Sequence, residues 1–246
     1  MPIEEIIEKS FNDLIKAITT DGTSSQLIFP HSNKGDVRHS EQELKQIFLR
    51  NVEEDKNYFY SIETPTEYGY RFSDTEMPLV KENHEKDDNY KSARFDVSLY
   101  NTDYKVNDNA SHHIEFKYGN PDQKNAICKD FLKLVSEVKF TNEKKNFFVH
   151  YLCVKTEKGW ESRTFPSLFS KYLDSVADII KSDLINEEDL SKVTVYLLCI
   201  FEEPEAESEP KIASAYHFSL ADLKNYKVRT KYSDLTDKSW LNEELI

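Results

Sequence analysis

Three ionisable side chains in two neighbouring segments combine the residue types that metal-assisted hydrolysis needs. Asp96 alternates with apolar residues in one segment, and Glu115 and Lys117 alternate with apolar residues in the next. If both segments are strands of one sheet, two carboxylates and a lysine share its polar face. Neighbouring carboxylates repel each other unless a cation joins them, and carboxylate oxygens suit a hard ion such as Mg²⁺. A lysine beside them can orient or deprotonate a water and stabilise charge on a phosphate, so the set predicts phosphodiester hydrolysis.

The triplet itself, an acid followed two residues later by lysine, recurs along the chain and has no diagnostic value alone. Glu115-Phe116-Lys117 differs from the other copies because it lies in a strongly alternating segment that follows the Asp96 segment. A charged, exposed sheet face is the competing interpretation, since antiparallel sheets commonly have one solvated face. The setting of the triplet favours a catalytic site over an exposed sheet face.

Hydrophobic periodicity predicts the elements that position these residues. Helical spacing indicates a helix over 2–19 and a second helix that begins at Ser40, whereas alternating or continuous apolar runs indicate strands. The predicted strands are 57–64, 68–73, 94–100, 113–118, 146–154 and 193–201, and further helices are predicted at about 123–138, 167–181 and 220–225. The charged stretch 76–91 is interpreted as a surface loop.

This order of elements predicts an α/β fold in which helices lie on both faces of a central mixed sheet. The chain has no internal repeat and no segment with the composition of a linker. Residues 1–246 are therefore interpreted as a single domain.

The arrangement resembles the PD-(D/E)xK superfamily, whose members share the restriction-endonuclease-like fold. That family has an Asp on its second core strand and a (D/E)xK triplet on its third; Asp96 and Glu115-Phe116-Lys117 match them, 19 positions apart. The segment Lys129–Leu134 is similar to the KD-x-x-KL pattern of some members. Phe95 departs from the family pattern, because it stands where the family name has Pro.

The resemblance implies an αβββαβ core over about residues 38–155, with the helix at 2–19 and a C-terminal helix and strand in 156–246 as additions to it. It also implies a nuclease that hydrolyses DNA with Mg²⁺, for which Mn²⁺ can substitute, while RNA stays open as a substrate. A restriction, defence or repair role would follow. Cutting both strands of a duplex often needs two such sites, which makes a homodimer or a partner subunit an open question.

Family members bind the metal through the motif acids, which here means Asp96 and Glu115, helped by the backbone carbonyl of Phe116. Lys117 would act on the attacking water. An acid on the first core helix would hold a water of the metal or a second ion, and two residues compete for that role. Ser40 and Glu43 form a capping-box pattern that gives Glu43 a structural purpose, whereas Glu41 lies nearer the buried stripe and matches a family Glu-x-x-Leu pattern. Glu41 is therefore the prediction, with Glu43 in reserve.

Other polar residues near these segments have two interpretations each. His113 shares a strand face with Glu115 and is predicted to be an exposed histidine rather than a site residue. Glu63 either approaches the metal or is a plain acid at a strand end. The lysines of the third helix either contact phosphates or form its solvated side; they are Lys124, Lys129 and Lys133.

Composition limits the remaining classes of function. The 32 basic and 45 acidic residues give a net charge of −13, which disfavours a general nucleic-acid binder, although Lys117–Lys158 is locally basic. The three cysteines are far apart, without a CxxC pair, so they argue against a zinc cluster or a disulfide framework and are interpreted as core residues. No apolar run is long enough to span a membrane and the N-terminus lacks the pattern of a signal peptide, so a cytoplasmic protein is expected.

Two further functions stay open beside the enzyme. A catalytically inactive relative could serve as a protein-interaction subunit, for which the glutamate-rich stretch 202–209 is suited. An acidic inhibitor that mimics DNA is the third interpretation. Binding of a divalent metal separates both from a nuclease.

Overall fold

The computed structural model describes residues 1–19, 27–30, 33, 37–73, 78–82, 87–103, 105, 108–122, 125–203 and 213–225. From the N-terminus, its elements are α1 (Ile3–Thr19), α2 (Glu41–Asp55), β1 (Tyr58–Arg71), β2 (Leu79–Lys81), β3 (Lys91–Asn101), β4 (His112–Tyr118), α3 (Ala126–Ser136), β5 (Asn146–Val154), the single turn α4 (Glu157–Gly159), a π-helical turn (Trp160–Thr164), α5 (Phe165–Ile179), β6 (Val193–Phe201) and β7 (Ala213–Ser219). Short 3₁₀ helices lie at Val138–Phe140, Glu187–Lys192 and Asp222–Asn225.

The strands form one seven-stranded mixed sheet in the order β2-β1-β3-β4-β5-β6-β7. Strand β5 runs parallel to β4 and to β6, and all other neighbours are antiparallel. The parallel pairs require crossovers, which α3 and α5 provide. The predicted α/β class, a mixed sheet flanked by helices, is confirmed.

Each face of the sheet has its own hydrophobic core. Helices α1 and α2 pack on one face against side chains such as Phe147 and Val149, and α3 and α5 pack on the other against Phe148 and Leu152. Since successive strand residues point to opposite faces, a strand covered on both sides must be apolar at every position. This explains the uninterrupted apolar runs of β5 and β6, whose predicted bounds are confirmed.

Strand β1 differs from its prediction, because two strands separated at Pro65 were expected and one continuous strand is present. Its pairing with β3 shifts register between Pro65 and Gly69, a bulge that accommodates the missing N–H of proline. The buried Glu137 carboxylate accepts hydrogen bonds from the N–H groups of Glu67 and Tyr68 at 3.0 and 2.8 Å. A side chain about 70 residues away along the chain therefore satisfies the bulge.

Other helices and strands also differ in extent from their predictions. The predicted loop 76–91 contains the edge strand β2, which pairs with the last residues of β1. Helix α3 is shorter than its predicted span, α5 begins at Phe165, and β7 was not predicted. Lys124 and residues 204–209 of the glutamate-rich stretch lie outside the described residues. In the part of the chain that the structure describes, no helix is long and apolar enough to cross a membrane.

Candidate active site

The site begins where the hydrogen-bonded ladder between β3 and β4 stops. These strands share only three residue pairs, the last of which joins Val97 to Ile114. Beyond that pair the Asp96 side chain replaces the backbone partner on β3. Its Oδ2 accepts a hydrogen bond from the backbone N–H of Phe116 at 2.8 Å. Because Phe116 lies between Glu115 and Lys117, this bond holds Asp96 beside the triplet.

The strand alternation expected around Asp96 is interrupted at the same place. Phe95, Val97 and Leu99 were predicted to share one face, but Phe95 packs in the core beneath α3 whereas Val97 and Leu99 pack beneath α1 and α2. Phe95 stacks on the ring of His113, with centroids 4.0 Å apart. The change of face at Asp96 coincides with the end of the ladder.

Helix α3 supplies a buried lysine to Glu115. Lys133 Nζ lies 2.5 Å from Glu115 Oε1, 3.3 Å from Asp130 Oδ1, and donates to the Arg94 carbonyl at 3.0 Å. Its side chain is only 8% exposed, so the interpretation of Lys133 as part of a solvated helix face is wrong. A buried ammonium persists because these three oxygens replace its hydration.

Lys117 is paired with the second acid of the same helix. Its Nζ lies 2.8 Å from Asp130 Oδ2. Burial alone would lower the pKa of Lys117, but the carboxylates of Asp130, Glu41 and Glu115 outweigh it and raise that pKa. Lys117 is therefore a cation at neutral pH.

Helix α2 contributes two residues from its first turns. Lys45 Nζ lies 3.2 Å from Asp96 Oδ1. Glu41 is half-buried, and its pKa is raised, first by burial and then by the nearby charges of Asp96 and Asp130, with Lys117 opposing. Glu43 instead accepts the Ser40 N–H at 2.8 Å in a capping box, so the structure brings Glu41, rather than Glu43, to the site.

Asp96, Glu115 and Lys117 thus lie side by side, and Glu41 is near enough for its charge to interact with Asp96 and Lys117; we call this group and its charged partners the acidic cluster. It contains four carboxylates and three ammonium groups; they are Glu41, Asp96, Glu115 and Asp130 with Lys45, Lys117 and Lys133. With every group ionised, one negative charge is in excess. Burial raises the pKa of Glu115 despite Lys133, whereas for Asp130 the two lysines outweigh burial and lower the pKa.

Asp130, Lys45 and the structural role of Lys133 were missed by the sequence analysis. The only available signal was the KD-x-x-KL pattern, whose second and fifth positions are Asp130 and Lys133. Lys45 carried no signal, because a lysine on an amphipathic helix is ordinarily interpreted as solvated.

The secondary candidates do not join the cluster. His113 is buried rather than exposed as predicted, and its Nδ1 lies 2.7 Å from Ser98 Oγ. Glu63 is exposed and faces Arg94 at 3.9 Å on the outer part of β1. Lys129 Nζ lies over the Phe72 ring, 5.7 Å from its centroid.

The acidic cluster fits a hard divalent ion in the type of its donors and in its excess negative charge. Lys45 and Lys133 each hold one oxygen of Asp96 and of Glu115, so an ion that binds through those two oxygens must displace the ammonium groups. Among the described residues, three potential ligand atoms lie within 4.8 Å of one another in a different group, formed by His39, Cys153 and Glu202.

Comparison with known proteins adds no relative. No family model, no curated protein and no solved structure matches the chain. Functional inference therefore rests on the residues and contacts of this fold.

Proposed function

We propose that the protein is a Mg²⁺-dependent nuclease of the PD-(D/E)xK type, which hydrolyses phosphodiester bonds of DNA. One observation supports the proposal most: the hydrogen bond from Phe116 N–H to Asp96 sets the Asp beside the Glu115–Lys117 triplet. Helix α2 adds Glu41 to the same cluster. These are the four residues that the motif requires, and they come from three separate elements.

Each residue has a distinct role in this proposal. Asp96, Glu115 and Glu41 hold the ion, with the carbonyl of Phe116 as a further ligand, and Mn²⁺ can replace Mg²⁺. The bound ion supplies positive charge at the scissile phosphate and makes a water more acidic. Lys117 is a cation fixed by Asp130, so it donates hydrogen bonds to the attacking water or to the phosphate oxygens rather than accepting a proton.

Charge balance favours an anionic substrate once the ion is present. With every group ionised, the acidic cluster has one negative charge in excess, and a divalent ion reverses this to one positive charge. A phosphodiester would then enter a positive site despite the net charge of −13. The cleavage experiment described next compares DNA with RNA as substrates.

The test is metal-dependent cleavage of single-stranded DNA, double-stranded DNA and RNA. Wild-type protein is compared with Asp96→Ala and Lys117→Ala, in Mg²⁺, in Mn²⁺ and in a chelator. We expect cleavage only with metal, and a loss of at least about 100-fold in both variants. Glu63→Ala, an exposed acid on the neighbouring strand, is the control and should cleave like the wild type.

An inactive interaction subunit remains the second candidate, because one observation favours it. Three of the four carboxylates already have a lysine partner, so the acidic cluster can stabilise the fold without a metal. Calorimetry with Mn²⁺ separates the two functions. A wild-type protein that cuts none of the substrates and binds no Mn²⁺ contradicts the nuclease and leaves the subunit.

A further inference from the structure

A second group of potential metal ligands lies apart from the acidic cluster. The ligand atoms of His39, Cys153 and Glu202 all lie within 4.8 Å of one another, and His39 Nε2 is 4.0 Å from Glu202 Oε1. The three residues come from the segment before α2, from the end of β5 and from the residue after β6. They share no residue with the acidic cluster.

Sheet geometry explains why Cys153 and Glu202 meet. Strands β5 and β6 are parallel and end together, with Val154 opposite Phe201. The Glu202 N–H continues the ladder by donating to the Val154 carbonyl at 2.9 Å. Cys153 packs against the core beneath α1 and α2, as do the even-numbered β6 residues Leu198 and Ile200, so alternation directs Glu202 to the same face.

His39 is brought to this edge by a hydrogen bond next to it in the chain. The Tyr151 hydroxyl donates to the Ser40 carbonyl at 2.6 Å, and Tyr151 lies two residues before Cys153 on the same face of β5. The imidazole packs between the rings of Phe29 and Tyr118, with centroids 5.4 and 6.1 Å away. Its position is therefore fixed by both backbone and packing.

One nitrogen of the His39 ring has no hydrogen-bond partner within the protein. Its side chain is 5% exposed, and Nδ1 is buried without a hydrogen-bond partner. The 4.0 Å from Nε2 to Glu202 is too long for a hydrogen bond. A buried ring nitrogen without a partner is costly, so a ligand that engages Nδ1 would relieve that cost.

We propose that His39, Cys153 and Glu202 bind a zinc ion. Nitrogen, sulfur and carboxylate oxygen are the donors that Zn²⁺ takes, whereas thiolate is a poor ligand for Mg²⁺. Bond lengths of about 2.0–2.3 Å in a tetrahedron place ligand atoms roughly 3.3–3.8 Å apart, so small side-chain movements close the site. Thiolate and carboxylate together balance the charge of the ion.

The exposure of Glu202 determines what occupies the fourth coordination position of the zinc. Its side chain is 46% exposed, so the open side of the site faces solvent and a water completes the tetrahedron. The bound ion would tie the segment before α2 to the ends of β5 and β6. Zinc binding here is independent of the acidic cluster and does not require the nuclease proposal.

Cobalt substitution tests the site directly. The full chain, freed of metal with a chelator, is titrated with Co²⁺ and then with Zn²⁺, and the thiolate-to-cobalt absorption band is followed. We expect one Co²⁺ per chain, the absorption of a tetrahedral thiolate complex, and displacement by Zn²⁺. Cys153→Ser should lose the band, and His39→Ala should weaken affinity for Zn²⁺ by at least about 100-fold.

Two control variants locate the ion. Cys199→Ala removes a thiol from the neighbouring strand on the opposite face and should keep the band, as should Asp96→Ala. If the wild type shows no thiolate band, the zinc site is wrong. If Cys153→Ser binds Co²⁺ with unchanged affinity while Asp96→Ala does not, the ion lies in the acidic cluster and the proposal is overturned.

Discussion

Two strand pairs in the centre of the sheet contrast sharply. The β5–β6 pair has nine consecutive residue pairs, and its side chains fill a core on each face. The β3–β4 pair has three residue pairs. Beyond them, backbone groups bond to side chains: the Phe116 N–H donates to Asp96, and the Arg94 carbonyl accepts from Lys133. One pair is held by its ladder and apolar burial, and the other by buried charges.

The contrast shows what happens to a sheet where its ladder ends inside the protein. Buried backbone groups must still be paired, so charged side chains take the place of the missing strand partners. Those side chains then need counterions of their own: Lys45 pairs with Asp96, and Glu115 and Asp130 pair with Lys133. Chemically useful groups accumulate at such a gap, whereas a complete ladder leaves no room for them.

The largest expected effect is loss of packing in the β5–β6 region. Phe148 is fully buried and makes an edge contact with the Phe131 ring at 5.0 Å between centroids. Phe148→Ala should lower the free energy of unfolding by about 3–5 kcal/mol, measured by urea denaturation. Phe59→Ala, at a ring that is 54% exposed, should change it by less than about 0.5 kcal/mol. Equal effects of the two variants would contradict the contrast.

Removal of the buried cation should come next. Lys133→Met leaves Glu115 and Asp130 without their shared partner and should cost about 3 kcal/mol in the same assay. The double variant Lys133→Met with Glu115→Gln should recover part of this loss, because one uncompensated charge is removed. Lys181→Met breaks an exposed ion pair with Asp178 and should cost less than about 1 kcal/mol. If Lys133→Met loses no more unfolding free energy than Lys181→Met, the buried ion pairs do not stabilise the fold.

The smallest effects are opposite slopes of stability against pH for the two acids that Lys133 joins, measured in a chelator. Burial alone would raise the pKa of Asp130, but Lys133 and Lys117 lower it, so its contribution is present above about pH 3.8 and is lost as pH falls. Burial raises the pKa of Glu115, so its contribution is present below about pH 4.5 and is lost as pH rises through that raised pKa.

Two variants separate these slopes. The stability advantage of wild type over Asp130→Asn should shrink as pH falls below 3.8, whereas its advantage over Glu115→Gln should shrink as pH rises above 4.5. Slopes of the same sign would mean that one of the two pKa shifts has the opposite direction, and the absence of both slopes would mean that the two carboxylates titrate as ordinary surface acids.

Local pattern was enough to predict much of the fold. The apolar runs predicted β5 and β6, and helical spacing predicted α1 and the start of α2 at Ser40. Both parts of β1 were predicted as strands, but their continuity could not be, because Pro65 ordinarily ends a strand and the group that permits continuation is the remote Glu137 carboxylate. Strand β2 has only three residues, too few for any periodicity.

For the candidate site, the sequence indicated the strand residues of the acidic cluster but, of its helix residues, only Glu41. Alternation selected Asp96, Glu115 and Lys117, because a strand displays its polar face in every second residue. Lys133 follows the rule for a solvated helix position, and only its partners Glu115 and Asp130 show that it is buried. The residues of the proposed zinc site lie in three distant segments, so no spacing motif could reveal them.

The order of strands in the sheet also determines when each cluster can form during synthesis. From β4 onward, every strand pairs with the strand that precedes it in the chain, so the sheet can grow as the chain emerges from the ribosome. All residues of the acidic cluster have been synthesised by Lys133, whereas the ligands of the zinc site are complete only at Glu202. The buried charges thus have their partners available before the last three strands of the sheet exist.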